Sequence, residues 1–141
     1  MDAGEIFEHH YFYRYPGTRA WQRKYFVVLA VNPAGDIVAR LLTSRPHGRP
    51  EQPPCFHGPP YPGFYLGVIG GCLVAKSWVD LRYLDDLDAM SVERDLATGT
   101  VIGVGQVSRS QLIPLLECAA AADDTTRMQS RAILNALSRS R

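Results

Sequence analysis

The sequence predicts a small α+β fold that is mostly β, with a partly open barrel of five or six short strands followed by C-terminal helices. Three observations lead to this fold class. Short runs rich in valine, isoleucine and aromatic residues follow one another, with glycine- or proline-containing turns between them. Helical spacing of apolar residues is confined to one short segment and to the residues after 107. Most strands lack a crossover helix before the next strand, which disfavours a parallel α/β sheet.

A β-hairpin over about residues 24–43 is the clearest local element. Its turn, Asn-Pro-Ala-Gly-Asp at 32–36, supplies a proline with a preset φ and a glycine that is free to take a positive φ. The runs on both sides are rich in valine, isoleucine and leucine, as expected for buried strands. If the hairpin forms, Arg23 or Lys24 at the start of one strand lies near Thr43 and Ser44 at the end of the other.

The other predicted strands are short and are separated by turn signals. Two sets of side chains alternate along residues 72–82, as they do on the two faces of a strand. Glycines within 99–107 indicate a bulge or a close approach of two backbones. The four strands expected besides the hairpin cover residues 4–13, 64–68, 72–82 and 99–107.

Residues 45–63 form the least regular segment of the sequence. They contain seven prolines and three glycines, a composition that supports neither a strand ladder nor a helix. We therefore expect a long surface loop, and loops of this length in a small domain are usually functional or mobile.

Three helices are expected in the second half of the chain. Leucines at helical spacing among acidic residues predict a short amphipathic helix in 83–95. Capping residues predict two more, over about 108–122 and 125–138, with Pro114 in the first turn of the earlier one or at a kink in it. The candidate caps are Ser108 or Ser110 and Thr125 or Thr126.

The length and composition are those of one small globular unit. At 141 residues and 15.7 kDa the chain can form one core with a short appendage. Its 46% hydrophobic and 21% charged residues are ordinary for a globular protein and exclude a disordered chain. We divide it into a barrel domain, residues 1–107, and a helical segment, residues 108–141, that packs on the barrel or extends from it.

The charge is balanced overall but unevenly distributed. A formal net charge of +1 excludes a protein that coats nucleic acid through charge alone. The N-terminal third is nevertheless rich in basic residues, whereas residues 80–95 are rich in acids, so a local basic patch is expected. The basic residues of that third include Arg14, Arg19, Arg23, Lys24, Arg40, Arg45 and Arg49.

The sequence predicts a cytoplasmic protein without a membrane partner. Its first residues are acidic and lack an apolar signal-peptide core, and its longest apolar run, about 65–75, is interrupted by glycines and too short to cross a bilayer. Three cysteines, Cys55, Cys72 and Cys118, make an odd count without a Cys-x-x-Cys pair. That pattern suits a reducing compartment better than a disulfide framework.

Five short motifs follow one another in a characteristic order. They are Gly-Glu-Ile-Phe at 4–7, Lys-Tyr-Phe-Val-Val-Leu at 24–29, Leu-Thr-Ser at 42–44, Ser-Trp-Val-Asp-Leu at 77–81 and Val-Gly-Gln-Val-Ser at 104–108. In this order, over roughly residues 4–118, the chain resembles the PemK/MazF family of toxin endoribonucleases. The resemblance implies an SH3-like barrel and a toxin of a type II toxin–antitoxin system, a metal-independent enzyme that cleaves single-stranded RNA. It also implies a homodimer held inactive by an antitoxin protein.

One departure from the family pattern bears on catalysis. Where the family has Arg-Pro, this chain has Lys24-Tyr25, so the catalytic arginine is either replaced by Lys24 or displaced to Arg23. A lysine carries the same charge but cannot grip two phosphate oxygens with a planar fork.

The resemblance implies four catalytic candidates, Lys24, Arg23, Thr43 and Ser44. Cleavage by the 2′-hydroxyl requires removal of its proton, protonation of the leaving 5′-oxygen and stabilisation of a charged phosphorane. A basic side chain can supply the charge, and the hydroxyls can donate hydrogen bonds. Alternatively, the hydroxyls cap a strand end and the basic residues form a solvated rim.

RNA binding has six candidates with ordinary alternatives beside them. Asp80 and Arg82 share one strand face and resemble the family's charged pair, although the family's arginine precedes its aspartate. They also fit a structural salt bridge. His47 suits proton transfer near neutrality, or it is an exposed loop histidine. Aromatic residues among arginines suit stacking on unpaired bases, or an interface or core. The candidates are Arg19, Trp21, Arg45, His47, Asp80 and Arg82.

No metal and no cofactor are expected. His47, Cys55, His57 and Cys72 offer nitrogen and sulfur ligands, but their spacing does not match the compact pairs of structural zinc sites. A second function class stays open, a non-catalytic module on the same barrel that binds nucleic acid or a protein.

Overall fold

A computed structural model describes residues 1–14 and 21–141, and of residues 13, 14 and 21 it describes the backbone alone. These residues form seven strands and three helices. The strands are β1 (Glu5–Arg14), β2 (Trp21–Val31), β3 (Ile37–Thr43), β4 (Cys55–Phe56), β5 (Gly63–Gly67), β6 (Ser77–Asp80) and β7 (Val101–Gln106). The helices are α1 (Ala89–Thr98), α2 (Arg109–Ala121) and α3 (Arg127–Ser140).

The strands form one antiparallel sheet in the order β4-β5-β6-β3-β2-β1-β7. The chain is therefore α+β and mostly β, as predicted. Among the described residues no ladder joins the edge strands β4 and β7, so the sheet is open at that point. The sheet breaks register in β1, β2 and β5, where bulges bend it.

The two faces of the sheet carry two separate cores because side chains alternate along each strand. On β2, Val27 and Leu29 face one core, and Phe26 and Val28 face the other. Helices α2 and α3 cover the first core with Leu115, Leu116, Ile133 and Leu137. Helix α1 contributes Val92 to the second. The C-terminal helices are thus packed on the sheet.

The predicted hairpin is present and its turn is held by Asn32. The Asn32 Oδ1 atom accepts hydrogen bonds from the backbone N–H groups of Ala34 and Asp36, at 2.9 and 3.0 Å. Gly35 takes a φ of 91°, which an L side chain adopts only with strain. The turn thus uses the proline-glycine chemistry that the sequence indicated.

A buried arginine connects β3 to α3. Arg40 has no exposed surface, and it donates to the carbonyl of Ala39 at 2.8 Å and to Gln129 Oε1 at 2.9 Å. Burial lowers the pKa of Arg40, and the charge of Asp86 opposes that shift. Gln129 in turn donates to Asp86 Oδ1 at 2.8 Å, so the amide joins the guanidinium and the carboxylate in one chain of hydrogen bonds.

Two elements are shorter than predicted. Strand β6 begins only at Ser77 instead of at residue 72, because Gly70 and Leu73 pair with each other in a tight turn. Helix α1 spans Ala89–Thr98, whereas a helix was expected in 83–95. It begins late because Leu87 exchanges two backbone hydrogen bonds with Ile37 and is extended. Pro114 lies in the second turn of α2, so the first of its two predicted positions, the first turn, is wrong.

The segment 45–63 is more ordered than a surface loop. It contains β4, which pairs with β5, and the buried side chain of Arg49. The Trp78 Nε1–H donates to the Pro50 carbonyl at 3.0 Å, and the Leu81 N–H donates to the Pro62 carbonyl at 3.1 Å. The expectation that this composition supports no strand ladder was wrong, since partners distant in sequence satisfy its carbonyl groups.

The cysteines also differ from expectation. Cys55 and Cys118 form a disulfide between β4 and α2, with Cα atoms 5.8 Å apart, and Cys72 is a free, exposed thiol. Reduced thiols were expected from the odd count, which says nothing about which pair meets in space. None of the three described helices combines the length and apolar character that a bilayer crossing requires.

Candidate nucleic-acid interface

A groove of about 550 Å³ opens where β2, β3 and β6 meet, and we call it the basic groove. Among the described residues, five cationic side chains line it, against a single carboxylate, that of Asp80. Eight of the ten predicted site residues lie around it, namely Arg23, Lys24, Thr43, Ser44, Arg45, His47, Asp80 and Arg82. The other two are Arg19, which lies outside the described residues, and Trp21, whose side chain does.

The hairpin register brings Lys24 to Thr43. Phe26 pairs with Leu41, and continuing that register by two residues sets Lys24 opposite Thr43. Residues directly opposite each other in an antiparallel pair share a face, so both side chains belong to the face of Phe26 and Leu41. The two line the same groove, as the hairpin predicted.

The hydroxyl of Thr43 has a structural partner and a remaining donor. Its Oγ1 accepts a hydrogen bond from the Arg45 backbone N–H at 3.1 Å, which caps the end of β3. A hydroxyl accepts through its lone pairs and still donates its hydrogen. The strand-capping alternative therefore holds for Thr43 without excluding a donor directed at a ligand.

Arg23 lies on the opposite face of β2 from Lys24. It is 64% exposed and forms an ion pair with Glu8 at 3.2 Å. Glu8 is buried between this arginine and His10, whose Nε2 lies 2.7 Å from the same carboxylate oxygen. This pairing anchors Arg23 at the rim, while Lys24 lines the groove on the same strand face as Thr43.

Asp80 organises the other wall of the groove. One oxygen accepts from Arg49 Nη2 at 3.0 Å, and the other accepts from Arg82 Nη2 at 2.7 Å. Burial by itself would raise the pKa of Asp80, but hydrogen bonds from Arg82 and the charges of both arginines outweigh it and lower that pKa. The carboxylate stays ionised and positions two guanidinium groups.

Tyr61 lies beside the two arginines of this wall. The guanidinium carbons of Arg49 and Arg82 lie 5.4 and 5.1 Å from its ring centroid, within cation–π range. The ring of His47 lies 5.0 Å away. His47 has a φ of 47°, a left-handed conformation that costs a non-glycine residue about 1 kcal/mol.

Sequence reasoning did not select Arg49 or Tyr61 as site residues. Both lie in the proline-rich segment 45–63, which has no helical or strand periodicity from which the position of a side chain could be predicted. Two hydrogen bonds hold Arg49 at the site: its Nε donates to the Pro62 carbonyl at 3.0 Å within the segment, and its Nη2 donates to Asp80 at the end of β6. The available signal was the concentration of arginines and tyrosines near this segment.

A second cluster lies outside the basic groove. The sulfurs of Cys55 and Cys118 and a ring nitrogen of His57 lie within 4.8 Å of one another. The four cysteines and histidines that were weighed as zinc ligands in the sequence, and set aside on their spacing, do not all meet. His47 and Cys72 line the basic groove and do not join this cluster.

Chemically, the basic groove suits a ligand with several phosphate groups and an exposed ring. Its cations attract phosphate oxygens, and its backbone-anchored hydroxyl and stacked aromatic ring offer a donor and a flat surface. No family model, no curated protein and no solved structure matches the chain.

Proposed function

We propose that the basic groove binds single-stranded RNA and cleaves it, and that the chain is a metal-independent endoribonuclease of PemK/MazF type on an SH3-like barrel. The observation that carries this proposal is the convergence of Lys24 and Thr43, from two paired strands, in a groove with five cationic side chains. A strong local excess of positive charge on a chain of net charge +1 favours a polyanionic ligand at this one place.

Single-stranded RNA fits the groove better than a duplex does. Tyr61 and His47 offer ring faces beside arginines, and unpaired bases stack on such surfaces. A duplex keeps its bases stacked on each other and presents only phosphates and groove edges. We assign the Arg82 and Arg45 side chains to the phosphate backbone and the Tyr61 wall to a base.

The cleavage step transfers no group to the protein. The 2′-oxygen loses its proton to a base and attacks the adjacent phosphorus, and the 5′-oxygen leaves with a proton. The products are a 2′,3′-cyclic phosphate and a 5′-hydroxyl end. Lys24 and the Thr43 hydroxyl stabilise the charged phosphorane between these events, with Ser44 at the strand end as a further donor.

The acid and base assignment follows from the state of the ionisable groups. Asp80 is engaged by two arginines and its pKa is lowered, so it orients those arginines and does not accept a proton near neutrality. His47 is exposed and lines the groove, and a neutral imidazole has one nitrogen that can accept a proton and one that can donate it. We assign proton transfer to His47.

The test uses purified full chain, with its disulfide intact, and a long unstructured RNA in the presence of EDTA. We expect cleavage that leaves 2′,3′-cyclic phosphate ends, mapped by selective ligation and sequencing. The His47→Ala variant should cleave at least about 100-fold more slowly, the usual contribution of a positioned acid or base. Binding without cleavage by the wild type would refute the nuclease assignment.

The alternative is a binding module that has lost catalysis. The replacement of the family's arginine by Lys24 favours it, since lysine lacks the bidentate grip. In that case RNA binds with a steep salt dependence, and no ends appear at any time.

Two partners belong to this proposal. A second copy of the chain forms a homodimer, and an acidic antitoxin segment occupies the basic groove and blocks RNA. Light scattering tests the dimer. Competition between RNA and a poly-glutamate peptide tests whether an acidic chain occupies the groove.

A further inference from the structure

The strongest unassigned chemistry in the molecule is a cysteine–histidine cluster away from the basic groove. Cys55 lies in β4, His57 follows two residues later, and Cys118 lies in α2. The His57 Nε2 atom lies 3.4 Å from each of the two sulfurs and 2.9 Å from the Cys118 carbonyl oxygen. Three ligand-bearing side chains from two elements thus meet at one point.

In the structure the two sulfurs are joined as a disulfide. Reduction by a dithiol transfers two electrons to this bond, each sulfur takes up one proton, and the dithiol becomes a disulfide. The product has two thiols and an imidazole, which is the Cys₂His donor set that Zn²⁺ takes in tetrahedral sites. We propose that the reduced chain binds one Zn²⁺ through Cys55, Cys118 and His57, with water as the fourth ligand.

The distances favour this assignment. With Zn–S bonds of about 2.3 Å and Zn–N bonds of about 2.0–2.1 Å, a tetrahedron places nitrogen about 3.6 Å from each sulfur. The observed nitrogen–sulfur distances of 3.4 Å are close to that edge on both sides. Once the disulfide is broken, the sulfurs are free to separate to the roughly 3.8 Å that the same tetrahedron requires.

Access and protonation are also suitable. His57 is exposed and Cys55 is half-buried, so an ion can reach the cluster from solvent. Cys118 is buried and would be the ligand farthest from solvent. Binding displaces the proton of each thiol and releases Nε2 from the Cys118 carbonyl, which leaves the ring proton on Nδ1.

The disulfide and the zinc ion would hold the same two elements together in different redox states. Each ties segment 45–63 to α2, and that segment also contains Arg49, which lines the basic groove. In the reduced, metal-free chain, neither the disulfide nor a zinc ion links segment 45–63 to α2.

The experiment measures metal binding directly and does not use RNA. Full-length chain is reduced under nitrogen with a phosphine reductant and titrated with Zn²⁺ against a chromophoric chelator. Co²⁺ in place of Zn²⁺ reports the ligands through thiolate-to-cobalt charge transfer and intense tetrahedral d–d bands. We expect one equivalent bound by the reduced chain and none by the oxidised chain.

Two variants identify the ligands. His57→Ala alters an exposed side chain, keeps the disulfide for folding before reduction, and should bind at least about 100-fold more weakly, the upper end of what even an outer-shell partner contributes. Cys72→Ser removes the third cysteine, which lines the basic groove, and should leave both the affinity and the cobalt spectrum unchanged.

Three results would overturn the proposal. They are less than one equivalent bound by the reduced wild type, equal affinity in His57→Ala, and loss of binding in Cys72→Ser. Circular dichroism of each reduced protein confirms that the comparison is made between folded chains.

Discussion

Arg49 and Asp80 form an ion pair that is almost entirely removed from solvent. Nη2 and Oδ1 are 3.0 Å apart, with 1% of the arginine side chain and 10% of the aspartate side chain exposed. The pair joins segment 45–63 to the end of β6, so it fixes one wall of the basic groove to the sheet. The first prediction concerns its contribution to stability.

Replacing Arg49 by alanine leaves the Asp80 carboxylate with a single arginine in a poorly solvated place. Removing one partner of a buried pair typically costs about 3–5 kcal/mol in the free energy of unfolding. Arg82→Ala is the matched comparison, because that guanidinium is 51% exposed and solvent screening reduces its contribution, so a smaller loss is expected. Equal losses for the two variants in urea unfolding would contradict the prediction.

The same carboxylate makes stability depend on pH. The pKa of Asp80 is lowered from its ordinary 3.8, so the unfolded chain binds this proton more readily than the folded chain does. The contribution is complete above about 3.8 and is lost as the pH falls toward the folded value. We expect the melting temperature to fall in that acid range, and Asp80→Asn to flatten the fall.

Asp88 supplies the control for the pH experiment. Its pKa is also lowered, by hydrogen bonds from Ser91 at the start of α1, but its carboxylate is exposed. Asp88→Asn should therefore change the acid limb much less than Asp80→Asn. A steeper change in Asp88→Asn would assign the acid sensitivity to the helix cap instead.

The buried guanidinium of Arg40 and its acceptor Gln129 should contribute unequally to the free energy of unfolding. Gln129→Leu removes its side-chain acceptor and should cost about 3 kcal/mol, because a buried charged donor is left unsatisfied. Arg40→Met removes the charge itself and should cost less than Gln129→Leu. Thr126→Ala, which removes only the cap of α3, calibrates the scale at about 1 kcal/mol. A larger loss in Arg40→Met would mean that the charge stabilises the fold.

For the proposed nuclease, the prediction separates Lys24 from Arg23. Thr43→Ala should slow cleavage by about 100- to 1000-fold, as the loss of a preorganised donor does. Lys24→Ala should act similarly, whereas Arg23→Ala should act weakly because Glu8 holds that side chain on the other face. Single-turnover rates on an unstructured RNA measure these effects.

Two further variants sharpen that comparison. Lys24→Arg restores the planar fork and should preserve or raise the cleavage rate. Thr98→Ala changes an exposed threonine on α1, outside the basic groove, and should leave the rate unchanged. Equal rates for wild type and for the Thr43, Lys24 and Arg23 alanine variants would leave the binding-module alternative.

The sequence predicted what short-range chemistry determines. The hairpin turn depends on Asn32 and Gly35, which lie within the turn itself, and the cap of α3 depends on Thr126 and a glutamine three residues later. Lys24 and Thr43 could be placed together because a tight turn fixes the register of the strands it connects.

The remaining features depend on residues far apart in the chain. The Cys55–Cys118 disulfide spans 63 residues, and the partner of Arg49 is 31 residues away. No periodic pattern in the sequence indicates either of these pairings. The composition therefore predicted a surface loop at 45–63 and free thiols. The extent of β6 and α1 was misjudged for the same reason, since the extended path of Leu87 is set by pairing with Ile37.

Helix α3 covers the inner face of β2 and β3, yet it is the last element described along the chain. During synthesis on the ribosome the hairpin therefore emerges long before its cover, and Val27, Leu29 and Val38 face water or a chaperone in the meantime. A chain shortened to end at Asp124 should bind a hydrophobic dye and aggregate, while the full chain should not.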